Sequence, residues 1–156
     1  MKKIIVLLFA SSAIFGTTYG QGAAKAAYVE IGGPGLASVN FDMRFSPTQN
    51  GAGFRFGVGA FSISGIKAVT VPVGLNYLIG KKSSFFELGA GYTYLSVSSS
   101  SKSTTKNFNE SFGNLTISYR YAPAKKGFFF KAELTPVFSG NFFLPYFAGL
   151  GFGYKF

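Results

Sequence analysis

The sequence predicts an all-β protein, an eight-stranded antiparallel β-barrel preceded by a cleaved signal peptide. Three observations support this prediction. Apolar residues recur at every second position through most of the chain. The composition is rich in aromatic residues and glycine but poor in charge, and the N-terminus has the pattern of an export signal. The length of 156 residues is that of about one domain.

The first 20 residues are ordered like a secretory signal peptide. Lys2 and Lys3 precede an apolar stretch, and small residues follow near Gly20. The apolar stretch spans roughly 12 residues, whereas a membrane-spanning helix needs about 20. We therefore expect residues 1–20 to be a signal peptide cleaved near Gly20. Residues 21–156 are then expected to form one barrel domain.

The first four predicted strands each set an apolar face against a polar or glycine face. The first is short, with Val29 and Ile31 opposite Tyr28 and Glu30. This alternation, interrupted by Gly, Pro, Asn and Ser clusters, is the signature of β-strands. The next three faces are Val39, Phe41, Met43 and Phe45 against Asn40, Asp42 and Arg44; Phe54, Phe56 and Val58 against Arg55, Gly57 and Gly59; and Val69, Val71, Val73, Leu75 and Tyr77 against Thr70, Gly74 and Asn76.

The last four predicted strands repeat the plan at residues 84–97, 112–121, 127–138 and 146–156. Two prolines inside strands, Pro72 and Pro136, remove backbone donors from the ladder and count against a regular strand there. The four faces are Phe86, Leu88, Ala90, Tyr92 and Tyr94 against Glu87, Gly89, Gly91 and Thr93; Leu115, Ile117, Tyr119 and Tyr121 against Asn114, Thr116, Ser118 and Arg120; Phe128, Phe130, Ala132, Leu134 and Phe138 against Lys131, Glu133 and Thr135; and Tyr146, Ala148, Leu150, Phe152, Tyr154 and Phe156 against Phe147, Gly149, Gly151, Gly153 and Lys155.

Composition and strand length favour a membrane as the surroundings of these strands. Charged residues make up 13% of the chain, about half the usual share. A strand crosses the hydrocarbon in about 9 to 11 residues, and in lipid a sheet must close on itself because it cannot keep an unpaired edge. Eight strands fit the length available, so the segments predict a transmembrane β-barrel.

The connections between the predicted strands alternate in character. Residues 46–51, 80–83 and 123–126 are short turns, and residues 98–110 form the single long polar loop. Short periplasmic turns and longer external loops are typical of bacterial outer-membrane barrels. Any surface partner is then expected to meet Lys102, Lys106 and Phe108 in the long loop.

The C-terminal residues carry a resemblance to a known group of proteins. Phe156 ends the sequence, with Leu150, Phe152 and Tyr154 alternating before it. This pattern resembles the terminal strand signal of bacterial outer-membrane proteins, which implies that the barrel-assembly machinery reads it. Together with the signal peptide and the alternation, the mature chain resembles small OmpA/OmpX-type barrels. Gln21 and the Gly- and Phe-rich strands are also similar to Bacteroidetes-type outer-membrane β-barrel proteins.

The faces opposite the apolar rows carry most of the ionisable groups outside the lysine-rich turns. A charge facing mid-membrane lipid costs about 2 to 4 kcal/mol for Lys or Arg, so these groups are expected to point inward. An eight-stranded barrel has room only for its own side chains. We expect a lumen filled with ion pairs from Glu30, Asp42, Arg44, Arg55, Glu87, Arg120, Lys131, Glu133 and Lys155.

These features predict an outer-membrane protein with a plugged lumen and a structural, envelope or surface-interaction role. The chain has no Cys and no His, which removes thiolate metal sites and imidazole catalysis. We expect no enzyme activity, no cofactor and no metal. Of the net charge of +10, two charges belong to the signal peptide, and the rest is spread over the tail, the turns, the outer side and the nearly balanced interior. No single basic face is left, so nucleic acid is not expected as a partner. Expected partners are outer-membrane lipid and lipopolysaccharide, with the barrel as a monomer.

Two other functions are compatible with parts of the pattern. A secreted, lipocalin-like carrier is also eight-stranded, but its apolar face would line the cavity and its charged, glycine-rich face would meet water. A lipid-modifying membrane enzyme is disfavoured because the chain has no His. An open porin is disfavoured because open channels need about 16 strands.

Overall fold

The computed structural model describes residues 23–63, 66–101, 104–140 and 142–156, so the predicted signal peptide lies outside the described residues. In this part of the chain no helix is long and apolar enough to cross a membrane. The chain forms strand segments β1 (Lys25–Gly32), β2 (Ala37–Arg44), β3 (Gly51–Ile63), β4 (Ile66–Lys81), β5 (Ser84–Ser101), β6 (Thr104–Tyr121), β7 (Gly127–Leu134), β8 (Val137–Phe138), β9 (Phe143–Leu144) and β10 (Ala148–Lys155).

These segments make a closed, eight-stranded antiparallel barrel, which confirms the predicted fold class. Each of the strands β1 to β6 pairs with the next one along the chain. Segments β7 and β8 follow one another beside β6 as the seventh barrel strand. Segments β9 and β10 form the eighth. The pairing of β10 with β1, from Lys155↔Ala26 to Gly149↔Gly32, closes the barrel.

Strand β1 is a complete barrel strand in spite of its short sequence pattern. It spans eight residues, Lys25–Gly32. It pairs with β2 from Lys25↔Met43 to Ile31↔Ala37 and with β10 on its other edge. Because both edges are paired, β1 and β2 count as two strands and the total is even.

The two prolines have different effects on their strands. Pro72 lies inside the continuous strand β4, opposite Thr93. Pro136 falls in the interruption between β7 and β8, because proline offers no backbone N–H to the ladder. Its carbonyl still accepts from the N–H of Leu115 at 3.0 Å, which keeps the seventh strand attached to β6.

The prediction of a long loop at residues 98–110 is wrong, because most of these residues belong to strands. Segments β5 and β6 each contain 18 residues and pair without interruption from Ser84↔Tyr121 to Ser101↔Thr104. A hairpin satisfies its own backbone N–H and C=O groups, so the polar composition does not stop the strands. At about 3.3 Å per residue, each strand is about 60 Å long, roughly twice what a membrane crossing needs.

The two faces of the sheet follow the predicted alternation. Large apolar side chains from every barrel strand are exposed on the outside, among them Val39, Leu75 and Leu150. We call the end of the barrel where Lys25 and Lys155 lie the terminal end, and the opposite end, where residues 33–36 join β1 to β2, the loop end. The terminal end also carries the connections at residues 45–50, 82–83 and 122–126.

An apolar cluster lies inside the barrel and was not predicted from the alternation. Leu78, Phe85 and Phe129 belong to the inward rows, whose other large side chains are mostly polar. Each of the three is 3% exposed or less. They lie near the turns of the terminal end, where the interior row changes from polar to apolar. The cluster consists of Ala26, Tyr28, Leu78, Phe85, Ala122 and Phe129.

Candidate functional site

Among the described residues, eight charged side chains in the interior of the barrel form one continuous chain of ion pairs. Four carboxylates and four cations alternate along it, and each of the eight residues is 6% exposed or less. We call this set the charge chain. Its order is Arg44, Asp42, Arg120, Glu87, Lys131, Glu133, Arg55 and Glu30.

The first half of the charge chain is built around Arg120. Asp42 contacts Arg44 at 2.8 Å and Arg120 at 2.8 Å. Arg120 also reaches Glu87 at 2.7 Å, so its guanidinium bridges two carboxylates. The guanidinium carbon lies 5.1 Å from the ring centroid of Phe129, which adds a cation–π contact on the apolar side.

The second half of the charge chain runs through Lys131. Its ammonium lies 3.3 Å from Glu87 and 2.6 Å from Glu133. Arg55 then contacts Glu133 at 3.5 Å and Glu30 at 3.2 Å. The chain therefore connects six strands, since its members come from β1, β2, β3, β5, β6 and β7.

Two of the ion pairs cross the lumen, Asp42–Arg120 and Arg55–Glu133, and residues that stand opposite each other on neighbouring strands are not always partners. Asp42 stands directly opposite Arg55 in the pairing of β2 with β3. Its ion pairs are nevertheless with Arg44 and Arg120. Inward side chains of a narrow barrel converge on the axis. A residue on β2 therefore meets β6, which lies on the far side.

Asn76 and Ser118 join the charge chain as neutral members that the sequence analysis did not single out. Asn76 donates to Asp42 at 2.6 Å and to Glu87 at 2.9 Å, and it accepts from Arg44. Ser118 donates to Glu87 at 3.2 Å. Their position on the inward face of an alternating strand is the only sequence signal that could have found them. These hydrogen bonds go to carboxylate oxygens that the cations also contact, so each of these oxygens has more than one partner.

The terminal end is closed by a turn that reaches across it. Gln49, between β2 and β3, donates to the carbonyls of Ala122 at 3.3 Å and Pro123 at 2.9 Å, between β6 and β7. These two connections lie on opposite sides of an eight-stranded barrel. The cavity beneath them has a volume of about 10 Å³, which leaves room for about one water molecule.

Lys155 lies apart from the charge chain, contrary to the expectation. Its ammonium donates to the carbonyls of Ala124 at 3.0 Å and Lys125 at 3.2 Å. Lys155 is the last residue of β10, so it lies at the terminal end, beyond the carboxylates of the interior. Its role in the structure is to hold the turn after β6.

The loop end is closed by Gly33, Pro34 and Gly35, which fold into the barrel mouth and are buried. Thr70 donates to the carbonyl of Gly35 at 2.7 Å. Gly33 has a φ of +63°, and a side chain there would collide with Glu30 and Glu133. One oxygen of each of these carboxylates has no hydrogen-bond partner among the described residues. The loop thus covers the last carboxylates of the charge chain.

The remaining residues singled out from the sequence lie on the outside of the barrel. Leu150, Phe152, Tyr154 and Phe156 are 41% to 51% exposed in one outward row. Phe108 is 56% exposed on β6. Lys102 lies outside the described residues, as does the side chain of Lys106 on β6. Among the described residues, no group of three or more acidic side chains is arranged to hold a metal ion.

An apolar outer surface around an ion-paired interior, in a closed eight-stranded sheet, is the architecture of small outer-membrane β-barrels, and the chain has this fold. It is similar to the N-terminal β-barrel domain of Pseudomonas aeruginosa OprF, with a TM-score of 0.65 and 15% identity over 86% of this chain and 96% of that one. The attachment invasion locus protein Ail of Yersinia pestis matches with a TM-score of 0.42 and 16% identity over 86% of this chain and 97% of that one. No family model and no curated protein matches the sequence.

Proposed function

We propose that this chain is exported by its signal peptide and inserted in the bacterial outer membrane as a monomeric, non-catalytic barrel with a sealed lumen. The observation that carries the proposal is the charge chain, which fills the interior between two closed ends. A lumen filled in this way leaves no path for solutes. Apolar residues on every strand face outward, as lipid requires.

The same geometry disfavours a lipocalin-like carrier. Such a carrier needs an apolar interior for its ligand and a polar exterior for water. In this barrel the interior has fully buried charges such as Glu87 and Lys131, and the exterior exposes Leu75 and Ile31.

The fold also provides the strand extension of β5 and β6, which supports a role at the cell surface in which Phe108, Lys102 and Lys106 meet a partner.

The proposal is tested by fractionating membranes and comparing gel mobility before and after boiling. A stable barrel is expected in the outer-membrane fraction, with a mobility that changes on heating. Recovery of the protein in a soluble fraction without detergent would contradict the membrane assignment. Planar-bilayer recordings test the lumen separately: we expect no sustained conductance from the purified protein, and a stable open channel would show that the interior is not sealed.

A further inference from the structure

An open cleft of about 540 Å³ lies among the turns of the terminal end. Its lining includes Gln49, Lys125, Lys126, Lys155 and Phe156. Lys125 and Lys126 are exposed there, whereas Lys155 is buried and its ammonium is bonded to backbone carbonyls. The four carboxylates of the charge chain are sealed inside the barrel.

The fold holds the three lysines in place through the turn after β6. Lys155 projects from β10 and donates to the carbonyls of Ala124 and Lys125. Gln49 fixes the other side of the same turn through its bonds to Ala122 and Pro123. The turn is thus anchored by two side chains from different parts of the barrel, and Lys125 and Lys126 extend from an anchored backbone.

No acidic side chain balances these lysines. The sequence has five acidic residues; four belong to the charge chain, and Glu110 lies on β6 opposite Leu95, towards the loop end. Lys25, Lys81 and Lys82 lie at the terminal end as well. The lysines that line the cleft outnumber the single α-carboxylate of Phe156, so the cleft has a net positive charge that favours an anion.

The cleft also adjoins the lipid-facing surface. Phe156 lines it and continues the outward row of β10, with its ring centroid 5.8 Å from that of Tyr154. Tyr154 stands opposite Phe128, which is 57% exposed. The lysines thus lie where the apolar row ends, which is the level of lipid headgroups for a barrel in a bilayer.

We infer that this cleft binds the phosphate of an anionic phospholipid headgroup, with the lipid chains lying along the aromatic row of β10 and β7. The inference rests on the proposed membrane location. Lys125 and Lys126 supply the exposed positive charge, and Lys155 holds the turn that carries them. Phe156 and Tyr154 contact the lipid next to its headgroup. A lysine near an anionic lipid surface strengthens binding severalfold, so removing two should weaken it roughly tenfold or more.

The test uses native mass spectrometry of the purified protein in a neutral detergent with equal amounts of phosphatidylglycerol and phosphatidylcholine. The wild type is expected to retain phosphatidylglycerol in preference. The double variant K125Q/K126Q is expected to lose that preference. The matched control K81Q/K82Q removes the same charge from another turn at the same end, and it is expected to behave like the wild type.

Each remaining outcome overturns the inference. Equal retention of the two lipids by the wild type, or equal losses in both double variants, would show that no specific cleft site exists. Displacement of the lipid by inorganic phosphate at similar concentration would assign the site to free phosphate. Gel mobility before and after boiling shows whether each variant is folded. Fractionation tests the membrane location independently, so its failure is distinguishable from failure of the cleft.

Discussion

At the scale of single residues, Glu87 is the member of the charge chain with the most partners. It is fully buried and contacts Arg120 and Lys131, and it accepts further hydrogen bonds from Asn76 and Ser118. A buried ion pair adds little stability compared with well-packed apolar groups, but removing one partner leaves an uncompensated charge. Among the members of the charge chain, replacement of Glu87 is therefore expected to lower the free energy of unfolding most.

Replacing Glu87 by Ala is expected to destabilise the barrel by about 3–5 kcal/mol, because Arg120 and Lys131 each lose a carboxylate partner while they stay buried. The measurement is the denaturant concentration at the midpoint of unfolding in a neutral detergent, with circular dichroism as the signal. Glu110→Ala is the control, since Glu110 lies on β6 outside the charge chain. Equal midpoints for the two variants would contradict a dry, ion-paired interior.

A second prediction at this scale concerns Gly33 in the loop that closes the loop end. An alanine there is strained by the positive φ, and its Cβ would lie 2.7 Å from an oxygen of Glu30. Gly51 has a φ of +98° with nothing within 4 Å of its Cβ position, and Gly140 has open space as well. Backbone strain alone costs about 1–3 kcal/mol.

We therefore expect Gly33→Ala to destabilise the barrel most, Gly51→Ala to an intermediate extent and Gly140→Ala little. Thermal unfolding of the three variants measures this order. If Gly33→Ala unfolds like Gly51→Ala, the loop is not packed against the carboxylates and the loop end is open.

At the scale of elements, the hairpin of β5 and β6 is the largest departure from the sequence analysis. A run of Ser, Thr, Lys and Asn predicted a loop because polar residues without alternation give no strand signal. In the structure these residues pair with one another as far as Ser101↔Thr104. Backbone pairing across a hairpin does not depend on an apolar face, so the length of these strands could not be derived from periodicity.

Removing the outer part of this hairpin is expected to leave the barrel folded. Residues 98–107 can be replaced by Asn-Gly, which joins Val97 to Phe108 through a two-residue turn that suits paired strands. We expect the change in gel mobility on boiling to persist, with a similar transition temperature. Deleting residues 88–91 and 114–117 is the control that should abolish it. Loss of the folded form in the first variant would show that the extension stabilises the barrel.

At the scale of the whole molecule, the period of two was sufficient to derive the barrel and its two faces. It placed Glu30, Asp42, Glu87 and Glu133 on one side of the sheet because successive side chains point in opposite directions. It did not identify their partners, since these depend on which strands face one another across the lumen. The partners of Lys155 could not be predicted either, because the alternation gives the face on which it lies but not its height along the barrel axis.

The inward apolar residues Leu78, Phe85 and Phe129 were missed for a related reason. In the sequence, an apolar residue in an inward row cannot be distinguished from a break in the alternation where a strand ends. Only the closure of the terminal end, where turns cover the interior, makes an apolar interior favourable there. The candidate cleft was missed as well, because it combines β10 with two turns that are distant in the sequence.

The last prediction concerns how the stability of the whole barrel depends on salt. Screening acts strongly on exposed charges and weakly on buried pairs. The charge chain is buried and balanced, whereas exposed lysines such as Lys81, Lys82, Lys125 and Lys126 repel one another at the terminal end. Raising NaCl from about 0.05 to about 0.5 M should therefore leave the thermal transition of the purified protein unchanged or raise it slightly. K81Q/K82Q should reduce any such rise, because it removes part of the repulsion. A marked fall of the transition temperature in salt would mean that water and ions reach the charge chain, and the sealed lumen would then be wrong.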